Sequence, residues 1–234
     1  MADHLVQKGI KVIAVGRRQE RLDTFVQKHG KERAGAFRFD IRDRENMGKF
    51  VQDVTETYPD LDCVFLNAGV QSPINFAHPE KVNLAAFHSE VAVTFSSFVD
   101  LTVKFLPFLM NKKTKTSLIF TGSNLAIIPA SPLPAYSASK AALSAFVLCL
   151  RDQLRNSSSN SQLEAELHDY MGAEKGRALG MPIDQFTEAA FEGLASGSNQ
   201  IVIGTVGPAE IFNDIIAKRR ALSQDLGKTL RGEN

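Results

Sequence analysis

The sequence predicts an α/β fold built on a parallel sheet, because short apolar runs alternate with amphipathic helical patterns along its 234 residues. Several of these runs are β-branched and do not alternate between apolar and polar positions, as is typical of parallel strands buried on both faces. The predicted strands are residues 10–15, 34–39, 61–66, 117–121 and 200–204. The length and a hydrophobic content of 44% suit one domain with a sizeable core.

Helical patterns with one apolar face lie around these strands. The predicted helices are residues 1–9, 19–29, 44–58, 82–110, 134–154, 184–194 and 210–226, followed by a frayed tail. The stripes expected to face the core are Leu22, Phe25 and Val26 in the second helix, Phe50, Val51 and Val54 in the third, and Ile211, Ile215 and Ile216 in the last. The helix at 134–154 has an apolar face that suits either burial within the chain or a dimer contact.

The composition excludes several classes of partner. A net charge of +1 gives no reason to expect nucleic-acid or anionic-membrane binding. No apolar run approaches the ~18 residues of a membrane span, and the N-terminus lacks the order of a signal peptide. Cys63 and Cys149 have neither CxxC nor histidine-spaced patterns, so we expect core thiols, no disulfide, no metal site and a cytoplasmic protein.

The chemistry centres on Tyr136 and Lys140, which are four residues apart in a predicted helix and therefore lie on one face. A neighbouring lysine cation lowers the pKa of a phenol toward working pH, where the phenol can exchange a proton with a carbonyl or alcohol oxygen. Ser123 follows a predicted strand, and its hydroxyl could hold the same oxygen. The pattern predicts Tyr136 as acid/base and Ser123 as the positioning group.

Ser123, the segment 136–143 (YSASKAAL) and Asn67-Ala68-Gly69 after a strand-like run together resemble the classical short-chain dehydrogenase/reductase family. The resemblance implies a Rossmann-like doubly wound parallel sheet and an NAD(P)-dependent oxidoreductase that interconverts a carbonyl and a secondary alcohol. It implies that Tyr136 and Lys140 also contact the cofactor, with Lys140 on the ribose, and that Asn67, Ala68 and Gly69 lie beneath it. The expected partners are a small carbonyl or alcohol substrate and a second copy, in a homodimer or homotetramer.

Arg17 and Arg18 follow the first predicted strand, where an acidic residue would bind a ribose hydroxyl and an arginine accommodates a 2′-phosphate. We therefore favour NADP over NAD. The alternative is that both arginines only end a strand and open the next helix. By resemblance, Asp40 and its neighbour Ile41 would contact the adenine; alternatively, Asp40 begins a turn.

The sequence departs from the family pattern at three places. The first strand and the TGxxxGxG loop that holds the pyrophosphate are absent, which predicts an incomplete sheet and impaired cofactor binding. Thr94 occupies the position of the family's helical asparagine. Residues 162–170 are polar and helix-prone where the family has an apolar strand, so that strand is predicted to be deleted.

These departures define the domain organisation and leave two functions open. We expect a core at 1–154, a linker and lid at 155–182, and a helix–strand–helix unit at 183–234. Residues 156–161 form the predicted linker. His168 and Tyr170 could touch substrate, and the alternative, which we favour, is that both are exposed helix positions. The first function is the NADP-dependent oxidoreductase. The second is a truncated, non-catalytic remnant or interaction module that does not bind the cofactor.

Overall fold

A computed structural model describes residues 1–155, 166–169, 182–198 and 200–233. The strands are β1 (Val12–Gly16), β2 (Ala34–Arg38), β3 (Cys63–Leu66), β4 (Ser117–Ser123), β5 (Glu166–Asp169) and β6 (Gln200–Val202). The helices are α1 (Ala2–Gln7), α2 (Gln19–His29), α3 (Met47–Thr57), α4 (Leu84–Val91), α5 (Ser97–Met110), α6 (Pro134–Arg155), α7 (Ile183–Ala195) and α8 (Ala209–Leu230). A π-helical turn, Ala92–Ser96, joins α4 to α5.

All strand pairs are parallel, which confirms the predicted α/β architecture. They form two ladders, β1–β2 and β3–β4–β5–β6. Within the described ranges, β1 pairs only with β2 and the other ladder begins at β3. The sheet is therefore interrupted between β1 and β3, where the sequence predicted a missing strand.

An apolar cavity of about 280 Å³ marks this interruption. Its lining includes Ile13 and Val15 from β1 and Cys63 and Phe65 from β3. Val15 is 43% exposed, although a strand at this position would be buried in a continuous sheet. Burial raises the pKa of the Cys63 thiol to about 12, with a smaller contribution from the nearby charge of Asp62.

The prediction that a late strand is deleted was wrong. β5 lies between β4 and β6, with Phe120 opposite Glu166 and Leu167 opposite Ile201. The segment is polar, so its conformation follows from the two neighbouring ladders and not from intrinsic strand preference. The predicted linker at 156–161 and Tyr170 lie outside the described residues, and of His168 the backbone alone is described.

The main core lies between the sheet and helices α3, α5 and α6. Phe50, Val51 and Val54 are buried as predicted, and Leu143 and Val147 of α6 are also buried inside the chain.

The continuous helical stretch Leu84–Met110 has the length and composition of a membrane span, contrary to the expectation that no run approaches that length. Its side chains Phe98, Leu101, Phe105 and Leu109 are in the main core, as expected for the core helix of a globular domain.

Other details differ from the predictions. α8 extends to Leu230 where a frayed tail was expected, and it buries Phe212 and Ile216 while Ile211 and Ile215 are exposed. Cys149, predicted as a core thiol, is exposed on α6. α3 begins at Met47, after a turn in which the side chain of Asp43 accepts a hydrogen bond from the amide of Asn46 at 3.1 Å.

Candidate active site

The structure brings the three predicted catalytic residues to one end of the four-stranded ladder. Ser123 is the last residue of β4 and is fully buried, and its Oγ accepts a hydrogen bond from the amide of Leu125 at 3.1 Å. Tyr136 is half-buried in the first turn of α6, one turn before the buried Lys140. The ammonium of Lys140 lies 5.6 Å from the centroid of the Tyr136 ring. A cation at that distance favours a phenolate over a phenol.

Lys140 is fixed by a chain of hydrogen bonds that reaches Asn67. Its Nζ donates to the backbone oxygen of Thr121 at 2.5 Å and lies 5.6 Å from the centroid of the Phe98 ring. The hydroxyl of Thr121 donates to Oδ1 of Asn67 at 2.7 Å. Thr121 was not predicted from sequence, although its position two residues before Ser123 places it on the same face of β4.

Thr94 lies beside Gly69, and its hydroxyl is engaged within its own helix. Thr94 is fully buried in the π-helical turn, and its Oγ1 donates to the backbone oxygen of Glu90 at 2.5 Å. Its methyl group packs near Gly69, because a Cβ added at Gly69 would lie 3.7 Å from it. The hydroxyl proton of Thr94 is therefore donated within the helix and is not available to Ser123, Tyr136 or Lys140.

Sequence reasoning missed Glu90, which is 1% exposed. Its carboxyl lies beside the side chain and backbone of Ser72, and neither carboxyl oxygen makes a well-formed hydrogen bond. Burial raises the pKa of Glu90, and the nearby Ser72 opposes this shift. No motif pointed to it; a glutamate four residues before Thr94 in an apolar helix was the available signal.

A second pocket, of about 480 Å³, opens at the carboxyl ends of β1 and β2. Four arginines line it: Arg17, Arg18, Arg21 and Arg42. The pocket also brings together the predicted cofactor residues Asp40, Ile41, Ala68 and Gly69, whereas Asn67 lines the neighbouring cavity between β1 and β3. A concentration of guanidinium groups of this kind suits a phosphate group.

Within this pocket, Asp40 is held by Arg42, a residue that sequence reasoning missed. Arg42 donates to the Asp40 carboxylate from Nη2 at 2.7 Å, and from both Nε and the backbone amide at 3.1 Å. These bonds lower the pKa of Asp40 to about 2, with Arg17 adding a weaker attraction at 3.7 Å. Asp40 also begins a turn, since its backbone oxygen accepts from Asp43 at 2.9 Å. The alternative interpretation of Asp40 as a turn residue thus describes this geometry, and an adenine contact would compete with Arg42.

The chain's residues suit the two ends of a dinucleotide better than its middle. The arginine pocket suits an adenosine 2′-phosphate, and Tyr136 with Lys140 suits the nicotinamide ribose. In the described ranges, the loops at the carboxyl ends of β1 and β3 contain no glycine-rich turn opening a helix, which is the usual cradle for a pyrophosphate. The site therefore fits the cofactor in part.

Comparisons with known proteins point to one family. A family model described as short chain dehydrogenase matches residues 1–158. The chain is 28% identical over 212 residues to the oxidoreductase DltE of Bacillus subtilis (strain 168), covering 86% of this chain and 81% of that protein. It is 27% identical over 154 residues to the NADP-dependent 3-hydroxy acid dehydrogenase YdfG of Salmonella typhi, covering 66% of this chain and 60% of that protein.

Solved structures show the same fold. A short-chain dehydrogenase from Streptomyces avermitilis superposes with a TM-score of 0.73 at 20% identity, covering 100% of this chain and 92% of that one. Serine dehydrogenase from Escherichia coli gives a TM-score of 0.72 at 22% identity, covering 86% and 88%. At these identities the likeness establishes a Rossmann-like fold and not a substrate.

Proposed function

The chain belongs to the short-chain dehydrogenase family, and from this premise we propose that it is an NADP-dependent oxidoreductase that interconverts a small carbonyl compound and a secondary alcohol. Family membership and oxidoreductase-named relatives support an NAD(P)-dependent oxidoreductase in general terms. The observation that carries the finer proposal is the buried Lys140 ammonium, held at 2.5 Å from the Thr121 oxygen and 5.6 Å from the Tyr136 ring. Burying a cation costs folding free energy, and such buried charged groups are concentrated at functional sites. In the proposed enzyme the Lys140 ammonium stabilises the Tyr136 phenolate.

The residues of the chain divide the work as follows. Tyr136 exchanges a proton with the substrate oxygen, and the hydroxyl of Ser123 holds that oxygen in place. Lys140 favours the phenolate and anchors the nicotinamide ribose. The Thr121–Asn67 hydrogen bond keeps the carboxyl end of β3 against β4, and the Thr121 backbone oxygen accepts the bond from Lys140. The bound cofactor supplies the hydride donor or acceptor.

The preference for NADP rests on the arginine pocket. Arg42 is already bonded to Asp40 and to the hydroxyl of Ser89 at 3.1 Å. Arg17 and Arg18 also line the pocket, and the Arg17 side chain is 61% exposed, so its guanidinium can bond a 2′-phosphate without losing a buried partner. We also propose a cytoplasmic location, from the absence of disulfide and metal spacing in the sequence.

The test is titration with NADPH and NADH, followed by thermal unfolding. NADPH at 100 times its dissociation constant should stabilise the protein by about 2.7 kcal/mol. Replacing both Arg17 and Arg18 by alanine should weaken NADPH binding about 10- to 100-fold and leave NADH binding unchanged. Arg33→Ala, at an exposed arginine outside the pocket, is the matched control. The absence of any effect of NADPH and of NADH at millimolar concentration would exclude the enzyme hypothesis for this chain.

One observation favours the second candidate function, a non-catalytic interaction module. The sheet is interrupted between β1 and β3, next to the stretch where a pyrophosphate would bind. If neither dinucleotide stabilises the protein while the native fold persists, this second function is the one that stands.

A further inference from the structure

The gap in the sheet has backbone hydrogen-bonding groups of β1 on one wall. In a parallel strand, the N–H and C=O of one residue face the same neighbouring strand, and those of the next residue face the opposite side. The amide of Val12 donates to the oxygen of Arg33, directly before β2, at 3.0 Å, so Val12 faces β2. The N–H and C=O groups of Ile13 and Val15 therefore face the gap.

Strand β3 forms the opposite wall in the same way. The oxygen of Asp62, directly before β3, accepts a hydrogen bond from the amide of Ser117 on β4 at 2.8 Å. The alternation then directs the N–H and C=O groups of Cys63 and Phe65 away from β4 and into the gap. No strand in the described ranges pairs with these groups or with those on the β1 wall. Both walls therefore present N–H and C=O groups that have no ladder partner.

These residues line one apolar slot, which is the cavity of about 280 Å³ between β1 and β3. One face of the slot is closed by side chains of α3 and α5, namely Phe50, Val54, Phe98, Leu101 and Phe105. On the other face of the sheet, Cys63 and Phe65 pack against a second buried cluster around Ile201. A chain that entered the slot would therefore have apolar surroundings on both faces, as an interior parallel strand does.

The chemistry of the slot specifies its occupant. N–H and C=O groups on both walls are satisfied by an extended backbone between them, which a lipid or another small apolar molecule does not supply. β1 has five residues and β3 has four, so a fitting segment of about five residues spans about 16 Å. Apolar surroundings on both faces favour β-branched residues, and the ladder on both edges excludes proline inside the segment.

The slot is basic at the carboxyl ends of its walls. Arg17 and Arg18 follow β1 directly, and both line the arginine pocket at that end. This pocket also contains Asp40, whose carboxylate is already bonded by Arg42 at 2.7 Å. The Arg17 side chain is 61% exposed and 3.7 Å from Asp40, so its guanidinium can bind a further carboxylate. Charge complementarity therefore favours acidic residues at this end of the occupant.

We propose that the slot between β1 and β3 binds a strand of another polypeptide, with about five β-branched residues and with acidic residues at the end beside Arg17 and Arg18. The bound strand pairs with β1 on one edge and β3 on the other, and so joins the two ladders into one sheet. The proposal applies to either candidate function, because it depends on the walls of the slot and not on Tyr136, Lys140 or a bound dinucleotide.

The probe is the peptide Thr-Val-Ile-Val-Thr-Asp-Glu with a fluorescent label at its amino end, titrated with the full chain up to ~100 µM and followed by anisotropy. It should bind saturably. Replacing the central isoleucine by N-methylisoleucine keeps the side chain but removes one N–H, and should weaken binding at least about 10-fold. Replacing Asp-Glu by Lys-Lys should also weaken binding at least about 10-fold, and added salt should weaken binding of the parent peptide.

A protein variant locates the binding in the slot. Val15→Asp places a charge in one wall and should abolish binding. Val103→Asp is the matched control, because Val103 is exposed on α5 outside the slot, and it should bind the peptide as the wild type does. Circular dichroism confirms that both variants are folded. In the wild type, the bound peptide should slow amide hydrogen exchange in β1 and β3 together.

Four results would overturn the proposal. The first is no binding at ~100 µM protein. The second is equal binding of the N-methylated peptide, which would show that the slot recognises apolar side chains without forming a ladder. The third is binding by Val15→Asp, or protection of only one of the two strands. The fourth is protection of both strands in the free chain as its own concentration rises, which would identify a second copy as the occupant.

Discussion

Lys140→Met removes one buried positive charge and keeps a side chain of similar length. At 5.6 Å from the Tyr136 ring, and with an effective dielectric constant of about 20, a unit charge stabilises a phenolate by about 3 kcal/mol. Each 1.36 kcal/mol changes a rate tenfold, so the loss corresponds to a fall in turnover of at least about 100-fold near neutral pH. Without the cation, the phenolate forms only at higher pH. The rising limb of the pH profile for alcohol oxidation should therefore move to higher pH.

The same substitution should affect stability little. Burial of the ammonium costs several kcal/mol. Its hydrogen bond to the Thr121 oxygen contributes about 1.5–3 kcal/mol, and its contacts with the rings of Tyr136 and Phe98 about 1–2 kcal/mol each. Because these contributions nearly cancel, the free energy of unfolding should change by less than about 2 kcal/mol.

The assay is the rate of NADP reduction with a panel of secondary alcohols, measured from acid to alkaline pH, together with urea unfolding. Lys104→Met, at an exposed lysine on α5, is the matched control and should leave the pH profile and the stability unchanged. The reasoning fails if Lys140→Met keeps the wild-type pH profile, or if its lost activity comes with a loss of several kcal/mol in stability.

Two further predictions concern the packing of the sheet. Gly193→Ala should cost about 1–2 kcal/mol in urea unfolding, because its Cβ would lie 2.5 Å from Cγ2 of the buried Ile201. The control is Gly48→Ala, which has no heavy atom within 4 Å of the added Cβ and should raise the free energy of unfolding by about 0.5–1 kcal/mol. If Gly193→Ala were also more stable than the wild type, the Ile201 side chain would have to move aside without cost. With a disulfide reagent at pH 8, the exposed Cys149 should react at once and the half-buried Cys63 much more slowly, since burial raises the Cys63 thiol pKa to about 12. Rapid modification of two thiols in the native protein would contradict this.

Local sequence patterns were sufficient to predict most strands and the catalytic grouping. β1 to β4 and β6 begin and end within two residues of the predicted runs, because uninterrupted apolar segments have few alternatives to a buried strand. Tyr136 and Lys140 are neighbours because helical spacing alone brings them together. Their catalytic roles, and that of Ser123, remain predictions.

What could not be predicted depends on contacts distant in sequence. Helix α8 contains two equally spaced apolar pairs, Ile211 with Ile215 and Phe212 with Ile216. The sequence pattern alone could not decide which pair faces the core. In the structure Phe212 and Ile216 are the buried pair, and Arg219 of the same helix donates a hydrogen bond to Ser144 on α6. β5 likewise exists through its pairing with two other strands, which a polar four-residue segment does not reveal.

The interruption of the sheet changes how the candidate site is held together. Arg17 and Arg18 follow β1, whereas Asn67 follows β3, and no described backbone ladder joins these two strands. The connection is made instead by side chains on the helical stretch 84–110. Ser89 bonds Arg42 on one side of the gap, and Phe98 contacts Lys140 on the other.

Aromatic packing makes the same connection through the core. Phe39, directly after β2, stacks on Phe50 at 4.2 Å, and Phe50 meets Phe105 of α5 edge-on at 6.5 Å. Side-chain packing yields more readily than a continuous strand ladder, so the distance between the arginine pocket and Tyr136 is less strictly fixed than in an unbroken sheet. A ligand that contacts both ends must then restrict their relative motion when it binds, and part of its binding free energy is used for that ordering. For this reason the intact dinucleotide, which reaches both ends, is the informative probe of this site, while a fragment that fills only the arginine pocket would leave the two halves unlinked.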